Sequence, residues 1–237
     1  MALPNVNELP SYSCTVPSTK KTIHFRPFLV REQKVLMIAY ESSDYASIIK
    51  ATQDTIQACV EDDLDVANLP TYDIDYIFTQ IRSKSVGESS DITISCSKCG
   101  EDVPHSIKLD EIQVEGESQN GHMYELNNKF TLRLKHSSYQ DLLNNQMLKD
   151  AQTGTEVLFL GLMGCLDAII TEDEQILFRD ESEEETIKFI ESLTGDQFNY
   201  LQEYVNNQPR LRHTCEYECE CGNKDSLTLE GLNDFFS

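Results

Sequence analysis

The chain has 237 residues, 39 % of them apolar, and 41 acidic side chains against 19 basic ones give it a formal net charge of −22. That balance repels phosphate backbones and argues against a nucleic-acid partner, because the one modest basic cluster, Arg210, Arg212 and His213, sits beside an acidic stretch. It favours solubility and basic protein partners instead.

Residues 1–24 read as a Pro- and Ser-rich N-terminal arm in which Cys14 has no assigned role. The arm has no basic start and no apolar stretch, so it is not a signal peptide, and the expectation is a non-secreted protein with reduced thiols. Residues 25–88 form a helical N-terminal part. Its first helix is "VREQKVLMIAYES". The second, "DYASIIKATQDTIQACV", sets Tyr45, Ile48, Ile49, Thr52, Ile56, Cys59 and Val60 on one face at three- and four-residue steps. The acidic "EDDLD" ends it as a solvated turn, for it lacks the Gly and distal Glu of a calcium loop. A third helix starts after Pro70 with Thr71 as cap, carries the stripe Ile74, Ile77, Phe78 and Ile81, and stops at Gly87.

"ITISCSKCGEDVPHSIKL" then places Cys96 and Cys99 in a C-x2-C-G knuckle between two strand-like runs. Two intervening residues and a Gly let the backbone curl so that both thiolates face one point, about 2.3 Å from a tetrahedral zinc. The matching half lies near the C-terminus, where "RHTCEYECECGNKDSLTLEGL" offers Cys219 and Cys221 before Gly222. More than a hundred residues separate the halves, but closing so long a loop costs only a few kcal/mol, less than a structural zinc contributes. The predicted module is therefore a split zinc-ribbon-like β unit over 89–114 and 211–232. Cys219 and Cys221 are one residue apart, too far in an extended strand to share one tetrahedral edge, so the chain must turn there. Cys215 is the substitute ligand for either, with His213 and His105 as weaker ones. Four thiolates would leave no open position, which makes the zinc structural.

The insertion, 115–210, reads as a β-hairpin plus helices. Two strands flank Asn127-Asn128, and helices follow at "SYQDLLNNQMLKDA" and over the apolar run Val157 to Ile170, which is too short to cross a bilayer. After strand-like "QILFRD" come two helices opened by the box pairs Ser182/Glu185 and Thr194/Gln197. The fold class is α+β. Cys59 and Cys165 read as core residues. No nucleophile elbow, phosphate loop or metalloprotease pattern is present, and the reading is of a protein that is not an enzyme.

Two N-terminal stretches, "FRPFLVREQKVLMIAYES" and "CVEDDLDVANLPTYDIDYIFTQIRSKSVGE", together with the C-x2-C-G knuckle and the closing "LTLEGLNDFF", resemble the baseplate hub and hub-assembly proteins of T-even-like contractile-tailed bacteriophages. The shortened Cys219-Cys221 pair departs from the knuckle pattern. The resemblance implies a tail-assembly role without enzymatic activity in a protein made in the host bacterial cytoplasm. The leading expectation is a structural component of the baseplate hub region that contacts other hub or wedge proteins. The net charge and the lack of a spanning segment argue against nucleic acid and membrane as partners. The alternative is an acidic assembly chaperone for the hub, and a distant third is a zinc-ribbon nucleic-acid-binding factor. Phe235 and Phe236 either anchor in a partner pocket or fold back on their own domain.

Overall fold

Residues 12–25, all but the last within the stretch read as an arm, form a β-hairpin: β1 (Tyr12–Thr15) pairs antiparallel with β2 (Thr22–Phe25), burying Cys14, Val16, Ile23 and Phe25. The computed structural model describes residues 9–42, 44–144 and 154–236. These fall into two compact units. Unit 1 comprises the residues up to Val66, Tyr72–Val114 and those from Leu211, and unit 2 comprises Ala67–Thr71 and Glu115–Arg210.

In unit 1 the hairpin leads to α1 (Val30–Ser42) and α2 (Tyr45–Cys59), the latter capped by Asp44, whose carboxylate accepts from Ser47 N at 2.9 Å. The buried face of α2 is turned from the expected one. Ala51 and Thr55 join Ile49, Thr52, Ile56 and Cys59 inside, while Tyr45 is exposed. α3 (Thr71–Ser85) buries Ile74, Ile77, Phe78 and Ile81 as its periodicity requires. Thr71 is its first residue rather than its cap. Asp73, in the first turn of α3, is fully buried and accepts from the Ser18 backbone N–H at 3.0 Å and from the Ser18 hydroxyl, tying the β1–β2 turn to the helix. Burial raises its pKa, although Ser18 works the other way.

β3 (Ser89–Ser95) and β4 (Asp102–Lys108) form an antiparallel hairpin in which alternate residues of β3, among them Ile92 and Ile94, face inward. β5 (Gln113–Glu115) follows.

Unit 2 carries a four-stranded antiparallel sheet of β6 (His122–Asn127), β7 (Phe130–Leu134), β8 (Leu166–Ile170) and β9 (Gln175–Leu177), in that order. The β6–β7 turn is held by Asn127, whose side-chain oxygen accepts from Lys129 N and Phe130 N. α4 (Tyr139–Asn144) covers the start of the helix expected from Ser138, and residues 145–151 of that expectation lie outside the described ones.

The apolar run from Val157 to Ile170, read as one helix, is a helix and a strand. α5 (Gly154–Cys165) ends and β8 begins without a loop, Lys135 N donating to Cys165 O at 2.8 Å at the change. A mainly apolar run hides a change from the 3.6-residue to the 2-residue period: in β8 Leu166 and Ala168 are buried, Asp167, Ile169 and Ile170 are half-buried, and the one polar residue, Asp167, is too little to mark the alternation.

α6 (Glu183–Glu191) is capped by Ser182, and α7 (Gly195–Asn206) by a complete Thr194/Gln197 capping box. The core of unit 2 is Leu132, Leu134, Leu162, Cys165, Leu166, Ile190, Leu201 and Tyr204. Where the chain enters and leaves this unit, Gly116 lies against Pro209, and a Cβ on it would fall 2.4 Å from Pro209 Cα.

The chain then returns to unit 1 with β10 (Arg210–Glu218), β11 (Lys224–Glu230) and α8 (Gly231–Phe236). A three-stranded sheet runs β11-β10-β5, separate from β3-β4. Between them lie Ile92, Ile94, Ile107, Leu109, Leu211, Cys215, Tyr217, Leu229 and Phe235. The two terminal aromatics fold back on their own unit. Phe235 is fully buried and its carbonyl accepts from the Ser90 hydroxyl at 2.6 Å, while Phe236 packs edge-on to Phe78 with the Arg82 guanidinium 3.9 Å from its ring centre. The fold is thus a mixture of helices and small antiparallel sheets. No described helix is long and apolar enough to cross a membrane.

Candidate metal centre

Two hairpin tips bring four sulfurs to one point. At the first, Cys96 N donates to Glu101 O (2.9 Å) and Gly100 N to Cys96 O (2.8 Å), and Gly100 takes φ 72°. At the second, Cys219 N donates to Asn223 O (2.9 Å) and Gly222 N to Cys219 O (2.8 Å), with Gly222 at φ 82°. The second loop is the first with one residue removed. Cys219 and Cys221 are not extended; a glycine in the left-handed region reverses the chain directly after the second cysteine, as it does after Cys99. A side chain at either glycine would be strained.

The Sγ atoms of Cys96, Cys99, Cys219 and Cys221 all lie within 4.8 Å of one another. Cys99 and Cys219 are 3.5 Å apart and Cys96 and Cys221 3.9 Å. A tetrahedron with metal–sulfur bonds of about 2.3 Å has edges of about 3.8 Å, so these four positions fit one ion with small adjustment. Cys96 and Cys219 are buried, whereas Cys99 and Cys221 are exposed.

The backbone supports charge on the sulfurs. The amides of Cys99 and Lys98 point at the Cys96 sulfur and lower its pKa to about 6. Cys219 moves the other way, to about 12: the Cys221 amide favours its thiolate, but burial and the neighbouring thiols outweigh it. A divalent cation held by the four sulfurs would remove that mutual opposition by displacing the remaining protons.

A polar network joins the tips beside the sulfurs. Ser97 N donates to the Tyr217 hydroxyl at 3.2 Å, the Ser97 hydroxyl to Asp225 at 2.6 Å, and the Asn223 amide to Ser97 Oγ at 3.2 Å and Cys96 Sγ at 3.7 Å. Every one of these contacts crosses from one hairpin to the other. Sequence reasoning missed Ser97, Tyr217, Asn223 and Asp225, since nothing local pairs residues so far apart.

The remaining candidates sit elsewhere. Cys215 lies on β10 opposite Leu227, buried in the apolar core, and burial raises its pKa. His213 lies opposite Leu229, and His105 opposite Ile92. Neither belongs to the four-sulfur group. The acidic turn is held by the N-terminal hairpin, Glu61 accepting from the Ser11 hydroxyl at 2.8 Å and Asp62 from the backbone of His24. Arg212 pairs with Glu230 at 2.8 Å, and the Arg210 guanidinium donates to Val205 O at 3.1 Å, which binds the basic cluster locally.

The model of the T4 bacteriophage base plate protein family matches residues 9–237. The chain belongs to that family. No curated protein and no solved structure matches it. Membership assigns this T4-like baseplate protein a structural role and a place in the virion tail. Its four clustered cysteines are able to bind a metal.

Proposed function

We propose that the chain is a structural component of the hub region of the baseplate, acting through protein–protein contacts with other hub or wedge proteins and made in the host bacterial cytoplasm. The family match over nearly the whole chain supports the baseplate role, and the hub region and its partners follow from the sequence resemblance. In it, Cys96, Cys99, Cys219 and Cys221 hold a structural zinc, and the β3–β4 and β10–β11 hairpins are the halves of a split zinc ribbon. The proposed organisation is an arm (1–24), a helical part (25–88), the split module (89–114 and 211–232) and an insertion (115–210). Zinc supplies four strong bonds between segments far apart in sequence, and with no open position it supplies no chemistry to a substrate. The protein in this reading is not an enzyme.

A second reading, an acidic chaperone that leaves once the hub is built, draws on the net charge of −22. Quantitative mass spectrometry of purified mature tails against infected-cell lysate separates the two. A fixed whole-number copy per tail is expected. Abundance in lysate with none in finished tails would replace the structural reading with the chaperone.

A further inference from the structure

Unit 2 holds a cleft that the metal centre does not use. It encloses about 370 Å³ and is lined by residues 117–119 and His122 on one side and by Tyr200, Glu203, Tyr204 and Asn207 on the other. The second set is one face of α7 and its C-terminal cap, at steps of three and four residues.

The wall is aromatic. Tyr124 and Tyr200 stack with ring centres 3.9 Å apart and planes 9° from parallel. His122 lies near-parallel to both Tyr200 and Tyr204, at 6.1 and 6.2 Å, and its Nε2 meets the Tyr200 hydroxyl at 2.6 Å. Tyr204 is fixed from behind, its hydroxyl donating to Gln119 O at 2.9 Å. The rings are therefore preorganised, and a guest meets them without ordering them first.

The electrostatics have one sign. Glu117 and Glu203 are exposed at the rim. The C-terminal end of α7, the negative end of its dipole, opens at Asn207, and its last turn carries no basic residue. Part of that end is already satisfied, since Asn207 O accepts from Glu117 N and Ser118 N at 3.0 Å. Among the described residues lining the cleft there is no Lys or Arg.

Tyrosine and histidine rings, two carboxylates and a helix C-terminus converge on a place that no described Lys or Arg lines. We propose that this cleft receives an Arg or Lys side chain from a basic segment of a neighbouring baseplate protein, the cation lying against the ring wall and pairing with Glu117 and Glu203. The assignment rests on the reading of the chain as a protein that docks to other baseplate proteins, and the net charge of −22 selects a basic partner.

The test is an NMR titration of the whole zinc-loaded chain, Tyr- and His-labelled, with the blocked dipeptide Arg-Arg amide, its norleucine counterpart, and spermidine. Saturating shifts confined to His122, Tyr200 and Tyr204 are expected with the arginine peptide and not with norleucine. Glu117→Gln with Glu203→Gln should weaken that binding about fivefold or more. The pair Glu172→Gln and Asp173→Asn, which removes the same charge from an exposed turn, should leave it unchanged.

Equal weakening by both pairs, shifts spread over the surface, or no saturable shift would each overturn the proposal. Spermidine binding as tightly as the peptide would overturn the assignment to a protein side chain. The outcome is separable from the hub reading: copy number in mature tails tests the second without touching the first.

Discussion

Unit 2 and unit 1 solve the same problem by different means. Unit 2 is drawn mainly from one continuous stretch, Glu115–Arg210, and its four-stranded sheet buries Leu132, Leu134 and Leu166 against Leu162 of α5 and against helices capped by their own neighbours. Unit 1 is assembled from three separated stretches, and its sheets have two or three strands. Isolated two-stranded hairpins are marginal in water. The β3–β4 and β10–β11 tips are accordingly joined by side chains, through the Ser97 network and the four sulfurs. A wide sheet with a helical cover is held by buried area, and small hairpins from distant positions add to their shared core a polar network between their tips.

That contrast breaks most sharply at the four-cysteine point, which the proposed function fills with zinc. Cys96→Ser, or a strong chelator, should remove zinc and destabilise unit 1 on the order of 5 kcal/mol. Hydrogen exchange should then accelerate in β3, β4, β10 and β11 while the β6–β9 amides stay protected. Unchanged metal content and melting temperature in Cys96→Ser would sink the clamp.

The reverse experiment is Gly116→Ala. The added methyl meets Pro209 backbone at 2.4 Å, which no side-chain rotation relieves. A loss of about 3 to 4 kcal/mol is expected, read as faster exchange in unit 2 with zinc content intact.

A smaller effect sharpens the comparison through pH. Glu32 in α1 is buried, which by itself raises its pKa, but hydrogen bonds from Arg31, Arg26 and the Leu29 amide prevail and lower it to about 2 from 4.5. Its stabilisation is present above pH 4.5 and is lost as pH falls towards 2, a change of about 3 kcal/mol in unit 1. Glu32→Gln should flatten the acid-unfolding curve of unit 1 across that window. An equally steep curve in the variant would assign the acid loss to other groups.

Much of the helical part was legible in the sequence, because Ile74, Ile77, Phe78 and Ile81 repeat at helical spacing and α1 matches the stretch read for it from Val30 to Ser42. The β6–β7 hairpin was legible for a local reason too, its Asn127 turn. What escaped were features set by long-range pairing. β8 disappears in an apolar run because α5 passes into it without a loop, and its place is set by pairing with β7 and β9, far from it in sequence or beyond a turn. The β1–β2 hairpin hides among prolines and serines since its burial depends on partners such as Asp73.

At the candidate site, the knuckle glycines pointed to the turns. The one-residue difference between the tips, and the Tyr217, Asn223 and Asp225 contacts to Ser97, follow only when β3–β4 meets β10–β11.

The interrupted path of unit 1 also imposes an order in time. A ribosome delivers Glu115–Arg210, enough to build the β6–β9 sheet and its helices, before β10 and β11 exist. Until then Cys96 and Cys99 are only half of the four-sulfur group. A chain cut short before β10 would thus carry a finished unit 2 beside an unclosed unit 1, so closure of the four-sulfur point marks the molecules whose synthesis has run past Cys221.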